Sequence, residues 1–144
     1  FAPAPSFYRA VGDTDSEAAF CDLLNRVRQA FPEPVTVEML LPVLVQACAH
    51  YRSQGVFNCL LSNGDWLFSF CSTKLAYITR RAPFGPACLT DAELTVDFQA
   101  ETSPNDVVTV LATAPLTSNE AWTLMQPGEW RLWRRGECIA DGSV

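Results

Sequence analysis

The residues best suited to chemistry lie at Gly12-Asp13-Thr14-Asp15-Ser16-Glu17, where three carboxylates and two hydroxyls fall within six positions. Thr14 followed three residues later by Glu17, ahead of an apolar periodic stretch, has the spacing of a capping box. Asp13 and Asp15 suit the positive end of the helix it would open. One carboxylate of the group, turned away from the helix, could instead hold a cation such as a substrate ammonium. Arg80-Arg81 is the second candidate. On a strand adjacent side chains face opposite sides, so only one of them can serve a given carboxylate-binding site. The alternative is a charged edge strand protected from aggregation. His50 is the only histidine. It falls in the middle of an apolar helical pattern, which argues against a serine or cysteine triad. No G-x-S-x-G and no phosphate-cradling G-x-x-x-x-G-K occurs in the sequence.

Six cysteines are present, none in a C-x-x-C pair. Cys21, Cys48, Cys59 and Cys71 sit in apolar stretches and read as reduced core thiols of a cytoplasmic protein, Cys88 and Cys138 being the others. No ligand spacing supports a metal site, and no cofactor is expected. The formal net charge is −6, with a sequence pI near 4.6, which argues against a nucleic-acid partner. No apolar run approaches the roughly 20 residues that span a bilayer. At 144 residues, 49% hydrophobic and 18% charged, the composition is that of one globular domain.

Elements to position these residues follow from the apolar spacing. Phe20, Leu23, Leu24, Val27 and Phe31 recur at helical intervals after Thr14, and Pro32 and Pro34 end that helix. A second helix is expected from Thr36 or Val37 to about Ser53, with Leu40, Leu41, Leu44, Val45, Cys48 and Tyr51 as its apolar stripe, Pro42 near its start and Gly55 as its C-terminal cap. Beyond Gly55 the texture is β. Val56–Leu61 and Trp66–Cys71 flank Asn63-Gly64, a hairpin signal. Leu75–Thr79, Leu94–Phe98 and a nearly continuous buried run at Val107–Thr113 read as strands. Trp122–Met125 reads as a short strand or turn, and Trp130–Trp133 and Glu137–Ala140 as a final pair, with Ala140–Val144 a frayed tail. Trp66, Trp122, Trp130 and Trp133 read as core anchors, Trp130 and Trp133 on opposite faces. Two helices followed by closely spaced strands make an α+β chain with mainly antiparallel pairing.

Four segments in this order carry a resemblance over nearly the whole chain. They are GDTDSEAAFCDLL at Gly12–Leu24, KLAYITRRAPFG at Lys74–Gly85, NDVVTVLATAPLT at Asn105–Thr117 and PGEW at Pro127–Trp130. The chain resembles class II glutamine amidotransferases, specifically the small stand-alone YafJ-like type. The resemblance implies the αββα sandwich of the N-terminal-nucleophile hydrolases, here its later part, and hydrolysis of the glutamine side-chain amide to glutamate and ammonia. It implies an N-terminal cysteine nucleophile with its own α-amine as base, an Asn-Gly oxyanion pair and an arginine for the glutamine carboxylate. The aspartate of its T-D-[ST]-E motif holds the glutamine ammonium, a role that maps onto Asp15.

Position 1 is Phe, and eleven residues precede Gly12, where the family places its nucleophile, Asn-Gly pair and arginine. Asn63-Gly64 is a hairpin turn and is not that pair. The expectation is therefore a single but incomplete domain over 1–144, inactive alone, with Asp15 for substrate binding and no catalytic residue. Such a piece would expose sheet edges and an apolar face, and would oligomerise or associate with its missing half. Hydrolysis of another γ-glutamyl amide is the alternative within catalysis. A remnant or partner-binding scaffold is the alternative outside it.

Overall fold

A computed structural model describes residues 6–91, 95–97 and 103–144. Helices α1 (Asp15–Ala30) and α2 (Val37–Gln54) come first. Nine strands follow among the described residues: β1 (Cys59–Ser62), β2 (Leu67–Phe70), β3 (Ala76–Arg81), β4 (Pro86–Cys88), β5 (Thr95–Asp97), β6 (Val107–Ala112), β7 (Thr123–Leu124), β8 (Glu129–Arg134) and β9 (Glu137–Ser143). The chain divides into two compact units, Phe1–Gly55 with the helices and Val56–Val144 with the strands. Every pairing between these strands is antiparallel. None of the helices in the described residues is long and apolar enough to cross a membrane.

In the helical unit, α1 starts where Thr14 Oγ1 accepts the N–H of Glu17, and stops at Phe31, whose backbone turns extended ahead of Pro32. Of its expected stripe, Leu23 is buried, whereas Phe20 is exposed. Helix α2 runs through Pro42 without a break and buries Val37, Leu44, Ala47 and Cys48. Gly55 does cap it, through an N–H bond to the Tyr51 carbonyl, but in an extended conformation rather than the left-handed one. One carboxylate oxygen joins the two helices: Asp22 Oδ2 accepts from Tyr51 Oη and from Arg26 Nε, each at 2.6 Å. Burial pushes the Asp22 carboxyl up, but the Tyr51 and Arg26 hydrogen bonds outweigh it and hold its pKa below the ordinary value. Burial and the neighbouring Asp22 charge both drive the Tyr51 phenol well above its usual range.

In the strand unit, β1 and β2 pair from Cys59↔Phe70 to Ser62↔Leu67, closing a hairpin around Asn63-Gly64. Gly64 takes φ 95°, which glycine allows without strain. Asn63 Oδ1 accepts the N–H groups of Asp65 and Trp66, fixing the turn. The four-stranded sheet has the order β1-β2-β8-β9 and the three-stranded sheet the order β6-β3-β7. They face each other where Trp133 of β8 meets Tyr77 of β3 edge-on at 5.0 Å, with Arg131 over the same Tyr77 ring at 4.8 Å. Trp130, on the other face of β8, lies against Phe68. A small cluster of Cys71, Leu75 and Met125 is buried beside Tyr77.

Four sequence expectations need correction. Arg80-Arg81 is on the middle strand of its sheet, although β7 reaches only Ala76 and Tyr77, so beside the arginines β3 pairs with β6 alone. The run at Val107–Thr113 is only half-buried and Val108 is exposed, since β6 is an outer strand of its sheet. The tail is not frayed: β9 continues to Ser143, paired with Glu129. Cys21 and Cys59 are half-buried; of the six thiols Cys48 and Cys71 are the buried ones. The strand expected at Leu94–Phe98 is seen at Thr95–Asp97, its ends lying outside the described residues.

Ser69 is fully buried, accepts Trp133 Nε1 at 2.9 Å and donates to the Arg131 carbonyl. Ser69→Ala strands the indole N–H in a dry interior. We expect it to lower the unfolding free energy in a urea titration by about 1–3 kcal/mol. Ser69→Thr, which keeps the hydroxyl, should retain more of it.

Candidate functional site

Asp15 is the first residue of α1, and its carboxylate is exposed at the helix start. Its Oδ1 accepts only a long bond, 3.3 Å from Ser16 Oγ, among the described residues. The neighbouring acid behaves differently. Glu17 does not return to the Thr14 backbone as a capping box would have it. Its two carboxylate oxygens take the N–H groups of Val11 and Gly12, each at 2.9 Å. The motif therefore divides its labour: Thr14 caps the helix, Glu17 holds the incoming chain, and Asp15 is presented to solvent at the positive end of the helix dipole. That is a geometry that can take up a cation.

The other sequence candidates are used elsewhere. Arg80 forms a two-pronged pair with Glu120 at 2.7 and 2.6 Å, largely shielded from solvent. Glu120 also accepts from Thr117 Oγ1, which in turn accepts Trp122 Nε1. The Arg80 bonds, aided by Thr117, hold the Glu120 carboxyl below the ordinary range against the opposing effect of burial. Arg81 leaves the strand on the opposite side and pairs with Glu137 in the open. Both arginines are thus occupied by carboxylates of this chain. Their partners lie 40 and 56 residues away, and the sequence carried no signal of either. His50 is exposed on α2, with Nε2 at 2.9 Å from the Gln54 amide nitrogen. Asn63-Gly64 is the β1–β2 turn, as read. No cluster of metal-ligating side chains occurs among the described residues.

A cleft of about 220 Å³ opens between the Gly64–Leu67 and Arg134–Gly136 segments, with Trp66 and Trp133 in its wall. Arg134 is tied there to Asp65 at 3.1 Å. Sequence reasoning did not single it out, and none of the candidate residues lines it.

Over residues 1–144 the chain matches the family described as class-II glutamine amidotransferases. It belongs to that family. It is 50% identical over 133 residues to YafJ of Escherichia coli K12, a candidate glutamine amidotransferase, covering 92% of this chain and 52% of the relative. A second candidate glutamine amidotransferase, from Haemophilus influenzae, is 36% identical over 94% of this chain and 46% of its own length. Among solved structures it resembles a predicted glutamine amidotransferase from Pseudomonas aeruginosa PA01. That likeness has 74% identity, a TM-score of 0.87, and coverage of 97% of this chain and 55% of the other. A class-II domain protein from Silicibacter pomeroyi, at 18% identity and TM-score 0.51, shares the fold. The chain thus spans about half the length of the relatives it matches. As a class II glutamine amidotransferase domain it is α+β, with two helices and antiparallel sheets.

Proposed function

We propose that this domain contributes the substrate-ammonium contact of a glutamine-hydrolysing enzyme, through Asp15. The observation that carries the reading is the division of labour at the start of α1. Of the acids in the T-D-S-E motif, Glu17 is spent on backbone N–H groups and Asp15 stands exposed at the helix start. A carboxylate there pairs with an ammonium group without giving up a structural bond. In this reading the amide-attacking cysteine, the Asn-Gly oxyanion pair and the arginine for the substrate carboxylate come from outside residues 1–144. The thiolate would attack the side-chain amide carbon, ammonia would leave, and water would release glutamate from the thioester. The facing sheets of the strand unit support a place in the αββα sandwich of N-terminal-nucleophile hydrolases.

The same reading makes the domain a single unit of a longer cytoplasmic enzyme, using neither metal nor cofactor and binding neither nucleic acid nor membrane. Each outermost strand of the two larger sheets carries an exposed apolar side chain: Leu60 on β1, Ile139 on β9, Val108 on β6 and Leu124 on β7. Open edges of this kind favour association with the remainder of the enzyme or with a second copy.

Glutamate release, the product common to every γ-glutamyl amide, tests the proposal. The enzyme of full relative length should hydrolyse glutamine faster than γ-glutamyl amides with bulky amine leaving groups, while residues 1–144 alone release none. Preference for the substituted amides would move the assignment to a γ-glutamyl amide hydrolase. No turnover of any γ-amide by the full-length protein would leave a non-catalytic scaffold.

A further inference from the structure

We infer that Glu17 and Asn25 form a strap that fixes residues 7–12 along α1, making them positioning residues for Asp15; the positioning role rests on the Asp15 reading above. Asn25 Oδ1 accepts the N–H groups of Phe7 and Tyr8, and Asn25 Nδ2 donates to the Tyr8 carbonyl, all at 2.9 Å. The amide thus meets Tyr8 as a partner strand would, accepting and donating at one residue. Arg28 reinforces the same end, its guanidinium 4.2 Å from the Phe7 ring centroid. At the other end Glu17 takes Val11 and Gly12.

The two anchors leave little slack. Glu17 and Asn25 are eight residues apart, about 12 Å along the helix axis. The chain from Tyr8 to Val11 spans at most about 11 Å even when fully extended. The incoming segment runs antiparallel to α1, held at both ends, with bends at Phe7, Val11 and Gly12. Gly12 is part of the device: a Cβ there would lie 2.8 Å from Glu17 Oε2, so a side chain would make the carboxylate shift from its present position. Two residues later comes Thr14, and then Asp15. The strap sets the direction from which chain ahead of Gly12 reaches the helix start, and hence how any groups it carries meet a substrate held by Asp15.

Backbone exchange and glutamine kinetics separate the strap from the substrate reading. In the full-length protein, Glu17→Gln should speed amide exchange at Val11 and Gly12 by at least about tenfold, and Asn25→Leu should do so at Phe7 and Tyr8. The Leu23 amide, deep in α1, serves as the control that the helix still folds. Unchanged exchange at all four positions overturns the strap. In the full-length enzyme Glu17→Gln should raise the glutamine KM about tenfold, the equivalent of one charge-assisted bond, with kcat little changed. Faster exchange with an unaltered KM, while Asp15→Ala does raise KM, overturns the positioning role. If Asp15→Ala leaves KM unmoved, the substrate reading fails and the positioning role with it, while the exchange data still decide the strap.

Discussion

Phe68→Ala is expected to lower the unfolding free energy by about 3–5 kcal/mol. Phe68 is fully buried in the middle of β2, paired with Leu132 of β8 and stacked on Trp130 at 6.4 Å. β2 and β8 are the two inner strands of the four-stranded sheet, so the void opens where neighbouring strands limit relaxation. The cost is the lost transfer free energy of the ring together with the cavity it leaves. Phe68→Leu keeps most of the volume and should lose less than half as much. A urea titration followed by tryptophan fluorescence measures both, and a loss below about 1 kcal/mol for Phe68→Ala would show that the sheet collapses around the gap.

The second large effect is at Gly136. Arg135 and Gly136 connect β8 to β9 with φ of 49° and 77°, the left-handed turn that suits a tight hairpin. Arg135 already bears the strain of that region, and any side chain at Gly136 would add to it. Space is closed as well: a Cβ on Gly136 would overlap the Val107 carbonyl oxygen and lie 2.7 Å from its carbon. Backbone cannot swing aside as a side-chain tip can. The turn would have to lift off β6, breaking the bond from Thr109 Oγ1 to the Gly136 carbonyl. Strain and overpacking together should make Gly136→Ala cost roughly 2–6 kcal/mol. Arg135→Gly should do the reverse and stabilise slightly, because it removes a positive-φ side chain. Thermal unfolding of the two variants side by side reads both signs, and a Gly136→Ala protein as stable as the parent would refute the packing argument.

These sites mark what the sequence could and could not disclose. Local signals were legible. Thr14 opened α1, Pro32 closed it, and Asn63-Gly64 made the first hairpin turn where the pattern placed it. The α+β order followed from periodicity alone. What depended on partners distant in the chain was not legible. Asp141-Gly142-Ser143 has poor strand composition and read as a loose end, yet β9 runs through it. The reason is Trp130: a Cβ at Gly142 would come within 2.6 Å of its ring, so only glycine lets the strand pass the indole. Arg80 and Arg81 looked like an edge pair because β6, which pairs with them, arrives later in the sequence; β7 reaches only Ala76 and Tyr77.

The candidate site was legible in part. The motif at Thr14–Glu17 was visible as a helix start, and the family resemblance singled out Asp15 from its neighbours. The separate duty of Glu17 was hidden, because its partners are backbone N–H groups, which every residue but proline possesses. Physical reasoning on the sequence alone favoured helix capping for the whole group. The structure gives the capping to Thr14 and a different structural bond to Glu17, and leaves Asp15 exposed.

The central claim is that Asp15 grips the ammonium group of the substrate. The most direct measurement compares glutamine with glutaramate, which keeps the side-chain amide and the carboxylate but lacks the ammonium, as substrates of the full-length enzyme with and without Asp15→Ala. A lost charge-assisted contact of about 1.5–3 kcal/mol should lower kcat/KM for glutamine about ten- to a hundredfold. The value for glutaramate should stay within about twofold, so the preference between the two substrates disappears. Equal losses for both substrates, or no loss for glutamine, would contradict the account.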